Sequence, residues 1–233
     1  MPVSRDVNRI EAFSDAVFGF ALTLLVVSLE VPRTYDDMMA SVRALPAFAA
    51  SFAILLLIWQ EHHNFYRRYG VHDGVIVWIN GLLLFVVLFY VYPLKFLMTM
   101  LIGPRGMLVG GRPEGVSDAQ VPGLMVMYAV GFIALFVILA ALHWRALVCL
   151  RHERESEVDL GALRVHLGAS LVYVAIGVLS LLIVRFLPPR VGLPASGFAY
   201  GLIGPAHYLY YRVVVPRIID RPSTTERVPP TGV

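Results

Sequence analysis

VIVWINGLLLFVVLFYVYPLKFL, from Val75 to Leu97, carries a single charge, Lys95, in twenty-three residues. An α-helix rises 1.5 Å per residue, so about 20 residues cross a hydrocarbon core of about 30 Å. Buried strands of soluble α/β domains are much shorter than this run. The segment is continuous in hydrophobicity rather than alternating. That excludes a barrel strand and leaves a helix, which satisfies its own backbone groups in lipid.

Five more segments of the same kind follow from the same test. They run from Ala12 to Val31, Met39 to Trp59, Leu124 to Leu150, Val165 to Leu187 and Ala195 to Val215. The composition agrees. Hydrophobic residues make up 58% of the 233, and charged residues 15%, where a soluble domain carries about 25%. Mean hydropathy is +0.72. The sequence therefore predicts an all-α integral membrane protein of six transmembrane helices. Residues 1–219 form its single domain, and 220–233 a disordered tail. MPVSRDVNR leads into the first apolar run without a cleavage pattern, so the first helix is expected to be retained.

An even number of spans places both termini on one side. That side holds Arg5, Arg9, Arg67, Arg68 and eight further arginines, twelve in all. The other side holds seven Lys and Arg residues. The positive-inside rule then predicts cytoplasmic termini. The net charge of +3 reads as loops facing anionic lipid, not as a nucleic-acid surface. The single cysteine, Cys149, rules out an intrachain disulfide and reads as a packing residue.

Polar groups among the apolar runs need partners. Asp15 stands near the start of the first helix, where free N–H groups favour an acid, and Ser14 beside it can cap locally. WQEHHNFYRR, from Trp59 to Arg68, brings Glu61, His62, His63 and Asn64 to the edge of the second span. Asn80 lies inside the third. Asp15, His62 and Asn80 all reach one depth, and a network among them would fasten the first helix to the second and third. No metal site is expected: His62 and His63 are adjacent, so they diverge on a helix, and no Cys/His cluster accompanies them.

Beyond Asp15 the first helix is almost wholly apolar. Leu22, Val26 and Leu29 follow each other by four and three and share a stripe. By pattern alone such a stripe reads as packing. It reads as a pore lining only where several copies surround an apolar passage. No carbonyl-filter motif, arginine-rich sensor helix, mid-depth acid or catalytic constellation is present. An enzyme is therefore not expected. A secondary transporter or proton-linked exchanger stands as the alternative to a channel.

The polar positions carry a resemblance. Arg9, Phe13, Ser14 and Asp15 match an R-x-x-x-F-S-D signature. Trp59 and His62 match W-x-x-H, and Asn80 and Pro93 follow in order. Over about Arg9 to Ile219 the sequence resembles the transmembrane protein 175 family of potassium channels, in its bacterial single-unit form. The resemblance implies a potassium-preferring cation channel in the bacterial plasma membrane. It implies a homotetramer, with the first helix of each copy lining the pore and no cofactor beyond the permeant potassium ion. The bottleneck falls seven residues after the motif aspartate, at Leu22, with further turns near Val26 and Leu29. Arg9, Phe13, Ser14, Asp15, His62 and Asn80 then form a structural network rather than a filter.

Overall fold

The computed structural model describes residues 5–29, 31–71, 73–104, 116–117, 119–152 and 160–219. Five long helices come first. They are α1 (Arg5–Val27), α2 (Tyr35–Tyr69), α3 (Gly74–Ile102), α4 (Val121–His152) and α5 (Leu160–Phe186). All five are long and apolar enough to cross a membrane, and no strand occurs among the described residues. Most of the expected bulk of the connection after Ile102, the mixed-charge loop after Arg151 and the tail 220–233 lies outside the described residues.

The sixth segment is helical throughout but interrupted. α6 (Pro189–Ala199) passes through a 3₁₀ turn (Tyr200–Leu202) into α7 (Ile203–Leu209). A π-helical turn (Tyr210–Val214) then leads to α8 (Val215–Ile219). Prolines account for both interruptions. Pro205 and Pro216 lack the N–H that would bond four residues back, and their rings crowd that carbonyl, so the preceding turn tightens or widens. An unbroken helix over Ala195–Val215 is thereby corrected to this jointed one.

α2 outruns its expected end at Trp59 by ten residues. The extension is polar in composition, yet His62, Phe65, Tyr66 and Tyr69 fall on one helical stripe and are buried. The helix opens on a capping box: Asp37 N–H donates to Thr34 Oγ1, and Thr34 N–H donates back to Asp37 Oδ2. It closes on Gly70, whose φ of 56° is the left-handed cap that glycine adopts at least cost.

α1, α2 and α3 pack together, α3 against α4, and α4 against α5. The principal core runs through the first four and the start of α5: Phe18, Ala21 and Leu25 from α1, Leu55 and Phe65 from α2, Leu83 and Val87 from α3, Leu142 and Leu147 from α4, Leu163 from α5. A smaller cluster joins Val165 and Ala169 of α5 to Tyr210 in the π turn. There the Tyr210 hydroxyl donates to Val165 O at 3.0 Å. Gly168 makes room for it, since a Cβ on Gly168 would stand 2.0 Å from that hydroxyl.

Candidate functional site

Three of the polar residues singled out in the sequence, Ser14, His62 and Asn80, form a chain of hydrogen bonds between α1, α2 and α3. His62 Nε2 lies 2.7 Å from Asn80 Oδ1. Asn80 Nδ2 donates to Ser14 Oγ at 3.0 Å, and Ser14 Oγ donates to Ile10 O at 2.9 Å. An amide oxygen only accepts, so His62 carries its proton on Nε2. The result is a one-way relay of donors from α2 through α3 into the backbone of α1. His62, Asn80 and Ser14 are all buried. The His62 ring packs against Phe18 and Tyr66, with centroids 5.5 and 4.9 Å away.

Asp15 takes a different partner from those expected. Trp59 Nε1 donates to its Oδ1 at 2.7 Å. One turn toward the start of α1, Glu11 Oε1 stands 2.8 Å from His63 Nδ1. The contact is at ion-pair distance but lacks hydrogen-bond alignment, since Nδ1 has no hydrogen-bond partner among the described residues. The His63 ring stacks on Trp59. Trp59 was legible as a motif position, but nothing in its spacing identified Asp15 as its acceptor. Arg9 and Phe13 turn outward, Phe13 to 63% exposure, and neither is a member of the hydrogen-bonded set.

The faces of α1 are sharply divided. Ser14, Phe18, Ala21 and Leu25 are buried and repeat at helical spacing. Phe13, Phe20 and Val27 point away, Phe20 to 67% and Val27 to 69% exposure. Ala16, Gly19 and Thr23 share that outer side. Leu22 lies on the flank, partly buried against the subunit's own core, and Val26 is 50% exposed. Leu29 falls beyond the helix, in a turn where its N–H donates to Val26 O. The three residues expected on one stripe therefore occupy a flank, an outer edge and a turn.

Residues 9–90, which hold α1, α2 and most of α3, match the family model described as endosomal/lysosomal potassium channel TMEM175. A curated potassium channel of Marivirga tractuosa is 36% identical over 220 residues, which cover 88% of this chain and 87% of that one. The chain belongs to the TMEM175 family of potassium channels. A potassium channel of Streptomyces collinus is 28% identical over 220 residues, 90% of this chain and 94% of the relative. Among solved structures, a variant of the potassium channel MtTMEM175, crystallised with a nanobody fusion protein, matches with a TM-score of 0.78 and 34% identity. The match covers 89% of this chain and 93% of that one. TMEM175 proteins are multi-pass membrane ion channels, not enzymes. Among the described residues no three His, Cys, Asp or Glu side chains are grouped to hold a metal.

Two further ties complete this TMEM175 chain. Asp73 caps the start of α3, accepting from Ile76 N–H at 2.8 Å. Its other oxygen accepts from Arg145 on α4, through Nε at 2.7 Å and through Nη2. Desolvation pushes the Asp73 carboxyl up, but Arg145 and the Ile76 N–H outweigh it and hold the group below the usual carboxylate range. Across α2 and α5, Arg68 Nη1 donates to His166 Nε2 at 2.9 Å.

Proposed function

We propose that four copies of this chain surround a central path that conducts potassium in preference to sodium, with α1 of each copy lining it. The proposal places both termini in the cytoplasm of a bacterial cell, residues 1–219 in one transmembrane unit, and the constriction on aliphatic side chains of α1. Membership of the potassium-channel family supports the reading. The observation that carries it is the outer side of α1, apolar and uncovered by the subunit's own helices. A membrane helix that is uncovered on one side meets lipid, another copy or a passage. Potassium sheds water at less cost than sodium, so a narrow apolar ring, which replaces none of that water, penalises sodium more.

Leu22, with Val26 and Leu29, is the constriction that family position favours. The exposure of Phe20, Thr23 and Val27 favours a second assignment, in which this outer side forms the ring and Leu22 braces it. Reversal potentials in liposomes under opposed potassium and sodium gradients separate the two. Leu22→Ala lowers the potassium preference under the first assignment, and Phe20→Ala lowers it under the second. Preference unchanged in both variants would remove α1 from the filter role. Saturating, strictly coupled transport would instead favour the exchanger.

A further inference from the structure

α1 stops at Val27, four residues short of the apolar run that contains it. The last carbonyls of a helix have no partner within it and carry its negative end. Here that end is occupied. Lys95, on α3, donates from Nζ to Ser28 O at 2.8 Å and to Ser28 Oγ at 2.7 Å. Ser28 Oγ in turn donates to Leu25 O at 2.6 Å. Lys95 is the only charged residue between Val75 and Leu97, and it is part-buried where it meets α1. Among the described residues no carboxylate pairs with it. Glu30, two residues past Ser28, lies outside them. A cation placed against helix-end carbonyls is favoured by the negative end of the helix dipole.

We propose that Lys95 is a positioning residue for the conducting helix, and that its ammonium is a fixed positive charge at one mouth of the ion path. The inference rests on α1 lining that path. Its consequence is electrostatic. Each copy contributes one such charge, and four unit charges about 10 Å away through water lower local cation occupancy several-fold at low salt. Salt removes the effect, since the screening length is about 3 Å at 1 M. The mouth therefore holds fewer cations at low salt than an uncharged mouth would, and conductance rises with salt more steeply than the bulk concentration alone dictates.

The test is single-channel conductance of the full-length protein in planar bilayers of neutral lipid, from about 0.05 to 1 M potassium chloride. Lys95→Gln keeps a donor toward Ser28 and removes the charge. Its conductance should exceed the parent's several-fold at the low end and converge with it at the high end. Lys95→Arg should follow the parent. Ser28→Ala keeps the charge and loses one anchor, so the parent's salt dependence should survive while open events shorten. A Lys95→Gln curve parallel to the parent's at every salt would overturn the proposal. If Lys95→Gln fails to assemble, a parent conductance strictly proportional to salt over the range overturns it equally. Failure of the pore reading shows differently: substitutions at Leu22, Phe20 and Val26 would all leave selectivity and conductance unchanged.

Discussion

At the level of single residues, the relay from His62 to Ile10 explains why an apolar bundle tolerates Ser14, Asn80 and His62 at its centre. Within the relay each group satisfies the next, so burial of those donors and acceptors carries little penalty while the set is whole. His62 Nδ1, outside the relay, has no hydrogen-bond partner among the described residues. Asn80 is the member that both accepts and donates. Asn80→Ala strands the His62 Nε2 proton and withdraws the donor from Ser14 at once. A buried donor left unpaired costs about 1–3 kcal/mol, so the variant should lose about 2–3 kcal/mol of stability. Unfolding monitored by tryptophan fluorescence in detergent measures it. A loss equal to that of an exposed control such as Trp78→Ala would show that the relay contributes nothing. The sequence announced the residue types and their common depth. It did not announce the pairing of Asp15 with Trp59, because contact between two helices depends on their rotation about their axes, which a single linear pattern leaves free.

Among the helices, the legible ones were those whose continuous apolar runs leave one solution. α3 and α4 extend a few residues beyond Val75–Leu97 and Leu124–Leu150, and α5 starts five residues before Val165 and ends at Phe186, all without changing character. α2 was underestimated because hydropathy weighs Glu61, His62 and Arg67 as polar, although every third or fourth residue there is buried. α1 was overestimated at its C-terminal end, where Ser28 and Lys95 close it within apolar sequence, and underestimated at its start, which reaches back to Arg5. The jointed last segment follows from Pro205 and Pro216, which composition alone conceals. Its attachment to α5 depends on the close approach of Tyr210 to Gly168. Gly168→Ala forces the ring away from Val165 O, and overpacking of this kind costs about 1–3 kcal/mol. Removing the hydroxyl takes away the closest clashing atom, though the ring carbon that bore it would still crowd the new Cβ, so adding Tyr210→Phe to Gly168→Ala should cost less than the two single changes summed. Strict additivity in thermal unfolding would place the strain elsewhere.

Across the whole molecule, apolar side chains such as Trp78, Phe85 and Phe89 cover the outside. In water they would be an aggregation surface; in a bilayer they meet lipid or other copies. Polar ties are concentrated where helices join, and the clearest binds the α2–α3 connection to α4 through Asp73 and Arg145. Because the Asp73 carboxyl is held below its usual value of 3.8, the tie is fully present above that pH and is lost as pH falls through the lowered value. Detergent-solubilised protein should therefore keep its melting temperature from pH 7 to about 4 as far as this pair is concerned. Below that the parent should lose stability, and Arg145→Met, already without the tie, should lose less. Parallel acid profiles for the two proteins would contradict the assignment. The length of α2 reaches further. Thirty-five helical residues extend about 52 Å, some 20 Å beyond the hydrocarbon thickness of about 30 Å. With that much rod to spare, thicker or thinner membranes can be matched by tilting the packed helices together.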